Sequence, residues 1–166
     1  CHKADVMRLS DGLFLECART VADEFPFIHF DEKPIDNVCL DLAADPTRYD
    51  VLVMENLFGD LISDLCAGLV GGLGVVPGAN LGARYAVFEA VHGSAPDIAG
   101  QGKANPIAVV RSAAMLLAHV GERAAAERIE RSVAATLERG VGLTRDLGGD
   151  GTTATITEEL VKNLGA

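Results

Sequence analysis

Apolar residues recur at Phe14, Cys17, Ala18, Val21 and Phe25, behind a Ser10-Asp11-Gly12 start and ahead of Pro26. Steps of three and four put them on one stripe, so the spacing predicts an amphipathic helix that stops at the proline. Residues 27–30 form a short strand candidate. Pro34 suits the first turn of a second helix, with Ile35, Val38, Cys39 and Leu42 on its apolar face. Residues 50–54 are an apolar, β-branched run of the kind buried on both faces of a sheet. Asn56-Leu57-Phe58-Gly59 reads as a turn, and residues 59–68 as a helix with Leu61, Ile62, Leu65 and Leu69 on one side.

Four glycines from Gly68 to Gly74, then Pro77-Gly78 and Gly82, mark a connection where the chain changes domain. A strand is predicted over 85–91, then a loop over 92–100. An apolar helix over 106–120 and a more charged one over 123–139 follow. Thr155-Ile156-Thr157-Glu158 has capping-box spacing and opens a last helix through Leu164. Strands alternating with helices give an α/β class with a largely buried sheet. There is no internal repeat.

The 166 residues carry 14 Lys+Arg against 24 Asp+Glu, a net charge of −10, with no basic run. That excludes nucleic acid as the main partner. Hydrophobic residues at 49% supply a core, and charged residues at 23% argue against disorder. The longest apolar runs, such as 113–118, fall well short of the ~20 residues that cross a bilayer, so no membrane partner is expected. The chain opens on Cys1 rather than Met, with no apolar segment behind it, and reads as a processed or truncated piece without a signal peptide. Cys17, Cys39 and Cys66 stand among apolar residues, and with Cys1 they form no C-x-x-C pair. Reduced, buried thiols in a cytosol-like compartment are expected.

Asp60 and Asp64 are the sharpest chemical feature. Four residues apart on a helix, they share one face, and two like charges there repel by a few tenths of a kcal/mol unless a cation intervenes. Mg²⁺ uses one or two protein carboxylates and leaves its other positions to water and an anionic ligand. The pair follows a buried strand, the strand-end position where open α/β sheets place ligands. On their own, Lys3 is an ordinary surface lysine and Asp36 an ordinary first-turn acid. Glycines and Pro96 give residues 89–106 a defined path in which Asp97 and Asn105 offer hydrogen bonds to a ligand. Gly72-Leu73-Gly74 is followed by Val75-Val76-Pro77, so the G-x-G-x-x-G dinucleotide fingerprint fails.

Four segments in order carry a resemblance along the whole chain. They are His2-Lys3-Ala4 with Ser10-Asp11-Gly12-Leu13-Phe14, then Asn56-Leu57-Phe58-Gly59-Asp60 with Ser63-Asp64. Gly71-Gly72-Leu73-Gly74 follows, and last Glu89 with His92-Gly93-Ser94-Ala95-Pro96-Asp97-Ile98-Ala99-Gly100 and Asn105-Pro106. Each is weak alone. Together they resemble the β-decarboxylating dehydrogenases, the isocitrate and isopropylmalate dehydrogenase family, most closely its NAD-dependent isocitrate branch.

The resemblance implies the C-terminal half of an isopropylmalate dehydrogenase-like fold. Residues 1–70 would belong to the small, dimer-forming domain and 71–166 to the large nucleotide-binding one. It makes Lys3 the catalytic lysine that helps remove the substrate hydroxyl proton, a role that requires its pKa to fall from ~10.4 towards neutrality. It assigns Asp36, Asp60 and Asp64 to Mg²⁺ or Mn²⁺, which would bind the substrate's α-hydroxyl and α-carboxylate and take up charge as CO₂ leaves. Lys3 and Asp36 would serve the partner subunit's active site, so a homodimer or larger homo-oligomer with shared sites is implied.

Asp5 lies on the substrate and nicotinamide side, where the family usually has Asn. Beside a tricarboxylate it is unfavourable unless protonated, paired with Lys3 or turned away, and it would mark a variant substrate or a subunit of reduced activity. Glu89, His92, Gly93, Ser94, Ala95, Asp97, Ile98 and Asn105 would surround adenosine. Asp97 would accept both ribose hydroxyls and repel a 2′-phosphate, which selects NAD. The implied reaction is oxidative decarboxylation of D-isocitrate to 2-oxoglutarate with NAD⁺ in the cytoplasm, or in the mitochondrial matrix of a eukaryote. The alternatives are 3-isopropylmalate, homoisocitrate or tartrate as substrate, or a non-catalytic regulatory subunit. The substrate-clamping arginines and the tyrosine acid of the family lie outside these residues, so the 166-residue chain alone is expected to be inactive.

Overall fold

A computed structural model describes residues 1–165, which form two compact units that meet in sequence between Cys66 and Ala67. In the first unit, the His2 N–H donates to the Lys33 carbonyl at 3.1 Å and the His2 carbonyl accepts from the Ile35 N–H at 2.9 Å. This bridge between His2 and Pro34 ties the amino-terminal segment to the approach to the second helix.

Helix α1 (Ser10–Ala22) forms at the expected place and ends before Pro26, but the only residue it buries is Asp11. The strand expected over 27–30 is absent. The Phe25 carbonyl is taken by the Ile28 N–H at 2.9 Å, a tight turn that uses backbone groups a ladder would need. Helix α2 (Ile35–Ala44) buries Val38 and Leu42, one turn apart, and turns Cys39 outward. With Ile62 they make a small core, lined by Ile35, Tyr49, Leu52, Met54 and Cys66.

Residues 51–55 form neither strand nor helix. Leu52 and Met54 face the small core, whereas Val51 and Val53 are exposed, so the run is buried on one face rather than two. Helix α3 (Asn56–Leu69) starts earlier than its apolar pattern suggests, making Asn56 to Gly59 its first turn rather than a link. Of the expected stripe only Ile62 is buried.

Near the start of the second unit, Gly71 and Gly72 take φ of +113° and +104°, a conformation that suits glycine. The stretch read as a connection contains strand β1 (Pro77–Leu81), paired antiparallel with β2 (Ala86–Ala90) from Pro77↔Ala90 to Leu81↔Ala86. The sheet observed is this half-exposed hairpin, not the largely buried sheet expected from the alternation.

Helices α4 (Ile107–His119), α5 (Arg123–Arg139) and α6 (Thr153–Leu164) pack around Val75, Ile107, Val133, Ile156 and Leu160. Two buried hydroxyls are satisfied by main chain, Ser132 on the Leu160 carbonyl at 2.6 Å and Thr136 on that of Ser132 at 2.8 Å, whereas the buried Thr144 hydroxyl has no partner among the described residues. Thr152, not Thr155, caps α6; Thr155 supplies the reciprocal bond, so the helix opens before the expected point. A Cβ on Gly149 would lie 2.0 Å from the Leu143 carbonyl oxygen. The class is α/β. All four cysteines are free, and Cys17 and Cys39 are exposed, against the expectation of buried thiols: α1 buries none of its apolar stripe, and Cys39 lies at the edge of a face that buries Val38 and Leu42.

Candidate active site

Lys3 is placed from three directions. The bridge at His2 fixes the preceding residue, and the Lys3 carbonyl accepts from the Val6 and Met7 N–H groups at 3.0 and 2.8 Å, closing a turn. Its own N–H donates to Asp11 Oδ2 at 2.6 Å, and Asp11 is buried at the start of α1. The ammonium then reaches Asp36 Oδ1 at 2.8 Å, in the first turn of α2, and Asp5 Oδ2 at 3.3 Å.

The hydrogen bond to Asp36 leads the effects that raise the Lys3 pKa above its ordinary 10.5, with Asp5 adding to it, and Lys3 in turn holds Asp36 below 3.8. The amine is thus kept protonated, opposite to what a base needs. With Asp36 engaged by a cation instead, Lys3 would lose its counter-charge and gain a positive neighbour, and both changes lower its pKa. Asp5 pairs with Lys3, one of the accommodations that make a carboxylate tolerable there.

Asp60 and Asp64 lie one turn apart on α3 and are exposed. The start of this helix is fixed by Glu55, whose carboxylate accepts the Leu57 and Phe58 N–H groups at 2.9 and 3.1 Å. Asp36 is not brought to them: among the described residues no three His, Cys, Asp or Glu side chains form a metal-holding group. One chain therefore presents two partial sets, Lys3 with Asp36 and Asp60 with Asp64. Two carboxylates on one helix face suit a hard divalent ion that completes its shell with water and an anionic ligand.

In the second unit Glu89 sits on β2, its Oε1 accepting from Asn80 Nδ2 at 2.9 Å and its carbonyl accepting from Ser112 Oγ at 2.8 Å. After it, His92 Nδ1 lies 3.0 Å from the Gly93 carbonyl, and Gly93 and Ser94 are exposed. Ala95 takes a left-handed φ of +44°, a strained conformation for alanine, and leads into the 3-10 turn Pro96–Ile98. Gln101 Nε2 donates to the Asp97 carbonyl at 2.7 Å, while the Asp97 carboxylate is exposed and makes no hydrogen bond among the described residues.

Asn105 is more committed than expected. Its Oδ1 accepts from the Ile107 N–H at 2.9 Å and its Nδ2 donates to Asp146 Oδ2 at 2.8 Å, leaving one amide N–H for a ligand. A Cβ on Gly74 would lie 3.1 Å from the same Nδ2, so this glycine permits the close approach. Asp11 is marked in the sequence only as part of a helix start, and Glu55 and Asp146 not at all. Glu55 flanks a helix start, a signal that could have found it; Asp146 pairs across 41 residues, and no local pattern marks it.

The family model for isocitrate/isopropylmalate dehydrogenase matches residues 1–164. The chain is 52% identical over 163 residues to a probable mitochondrial NAD isocitrate dehydrogenase alpha subunit of Drosophila melanogaster, covering 98% of this chain and 43% of that protein. Against the corresponding Caenorhabditis elegans protein it is 54% identical over 166 residues, covering 98% and 46%. The crystal structure of isocitrate dehydrogenase from Methylococcus capsulatus superposes with a TM-score of 0.93 at 49% identity, over 99% of this chain and 49% of that one. The chain spans about half the length of these relatives. No helix among the described residues is long and apolar enough to cross a membrane.

Proposed function

Because the chain belongs to the isocitrate/isopropylmalate dehydrogenase family, we propose that it forms part of an NAD-dependent enzyme that converts D-isocitrate to 2-oxoglutarate and CO₂. The observation that carries this reading is the split between the two partial sets in one chain. Lys3 and Asp36 stand together, Asp60 and Asp64 stand together, and neither set alone makes an active centre. Two protomers in a symmetric pair would bring one set of each to each site.

Asp36, Asp60 and Asp64 would hold Mg²⁺ or Mn²⁺, which when bound supplies charge stabilisation at the substrate oxygens. Lys3 would receive the hydroxyl proton on Nζ once Asp36 no longer neutralises it. Asp97 would accept the ribose hydroxyls, with Glu89, His92 to Ala95, Ile98 and Asn105 shaping the adenosine loop. Of the alternatives, 3-isopropylmalate, homoisocitrate and tartrate differ in the arm read by residues outside this chain. Location in the cytoplasm, or in a mitochondrial matrix like that of the named relatives, belongs to the same proposal.

The test is NADH formation by the complete enzyme with Mg²⁺ and D-isocitrate, set against 3-isopropylmalate. Isocitrate should be preferred, and Asp60→Asn should lower kcat by on the order of a hundredfold or more, since a metal ligand supplies several kcal/mol of transition-state stabilisation. Asp97→Lys should erode the preference for NAD over NADP, and an unchanged ratio would remove the cofactor assignment. The 166-residue chain alone should give no turnover. A regulatory subunit is the second reading, favoured by Asp5 at 3.3 Å from the Lys3 ammonium. Mn²⁺ titration separates the two: binding lost in Asp60→Asn supports the catalytic reading, and no binding in the intact enzyme supports the regulatory one.

A further inference from the structure

Outside the site described, the densest polar cluster of the first unit centres on Asp41. Lys33 Nζ donates to Asp41 Oδ2 at 2.6 Å and to the Tyr49 hydroxyl at 3.3 Å. The Tyr49 hydroxyl donates to the same Oδ2 at 2.7 Å, and Arg48 donates to Oδ1 at 3.2 Å. The Lys33 ammonium also stands 5.1 Å from the centre of the Tyr49 ring. No sequence pattern marked these residues.

Their location gives them a task. The Lys33 carbonyl accepts the His2 N–H, one residue before Lys3, and Lys33 is three residues before Asp36. A single residue thus holds the Lys3 segment with its backbone and α2 with its side chain. Tyr49 packs on the core of Val38, Leu42 and Ile62, and Ile62 lies between Asp60 and Asp64 on α3. The anchor is therefore rooted in the core that carries both partial sets.

We infer that Lys33, Asp41 and Tyr49 are positioning residues that fix the register of the His2–Pro34 bridge and so the placement of the Lys3 ammonium against Asp36. The inference rests on the proposed catalytic role of Lys3. A misplacement of about 1 Å in a reacting group costs up to ~100-fold in rate, so releasing one anchor should be visible in turnover.

The experiment compares Lys33→Met, Lys33→Arg, Asp41→Asn and Tyr49→Phe in the complete enzyme. Lys33→Met and Asp41→Asn should lower kcat by roughly tenfold while leaving KM for isocitrate and Mn²⁺ affinity within about twofold, and Lys33→Arg should restore most of the loss. In the same variants the amides of His2 and Ile35 should exchange faster and Lys3 should react faster with an acylating reagent, with amides of α1 unchanged. Tyr49→Phe, the mildest change, carries the same readouts if another variant fails to fold. Wild-type kcat with His2 and Ile35 still protected would overturn the inference, as would a uniform rise in exchange across the unit. Lys3→Met separates the two levels. If it abolishes turnover while Asp41→Asn and Lys33→Met are normal, only the positioning role falls; if it leaves turnover intact, the function proposed above falls and takes the positioning role with it.

Discussion

The two units solve the problem of burial in different ways. In the second, three helices close over Val75, Ile107, Val133, Ile156 and Leu160, and the Ser132 and Thr136 hydroxyls between them are paired. In the first, α1 hides only a carboxylate, and Leu9, Leu13, Val21 and Phe27 stand more than half exposed. A small three-residue core and a set of polar anchors around Lys3 organise the rest. The lesson is that one unit is held by apolar packing and carries the residues proposed to meet the cofactor on a loop, whereas the other is held largely by the polar contacts that also arrange the residues of its proposed chemistry. Substitutions should therefore separate stability from chemistry in the second unit and confuse them in the first.

The largest effect should come from the packed unit. Ile156→Ala removes a wholly buried side chain and should cost about 2–5 kcal/mol in denaturant unfolding of the second unit. A loss under about 1 kcal/mol would mean that core is not closed. Next is Asp11→Ala, which strands the Lys3 N–H and should cost about 1–3 kcal/mol in the first unit, and it should lower kcat as well because Lys3 loses its anchor. Loss of stability without loss of turnover would break the proposed link between the two. Leu13→Ala, at a side chain 62% exposed, should change the stability of the isolated chain by no more than about 0.5 kcal/mol.

The smallest effect is pH-dependent. Asp36 and Asp41 are held below their ordinary 3.8 by Lys3 and Lys33, so what they contribute is complete above 3.8 and lost as the pH falls through their lowered values. Lys3 and Lys33 are held above 10.5 by Asp36 and Asp41, so their contribution is complete below 10.5 and lost as the pH rises past it. Amide protection in the first unit should fall before that of the second at both extremes, and salt should shrink the difference. Equal loss in both units would contradict the contrast drawn here.

The same contrast explains what the sequence made legible. Helices α2, α4 and α5 follow from periodicity because their apolar faces meet a core in the same chain. The strand expected over 50–54 does not form, since a β-branched run becomes a strand only when a neighbour pairs with it, and here Val53 gives its carbonyl to the Cys1 amino group at 2.7 Å. Strand β1 was missed because Pro77-Gly78 reads as a turn, whereas pairing with β2 overrides that local preference. At the site, the residues that carry the resemblance were legible as motifs. The polar anchors Asp41, Glu55 and Asp146 were not, nor was the bond of Asp11 to the Lys3 N–H, because each acts through a partner whose placement depends on the folded chain.

The central claim is that Lys3 with Asp36 and Asp60 with Asp64 work across two protomers. It is tested most directly by mixing complete enzymes that carry Lys3→Met and Asp60→Asn, each inactive alone, and unfolding and refolding them together. Random pairing makes half the dimers mixed, each with one intact site of two, so the mixture should regain roughly a quarter of wild-type turnover. Mixed dimers that form and remain inactive would show that each site draws all four residues from one chain, and the account would be wrong.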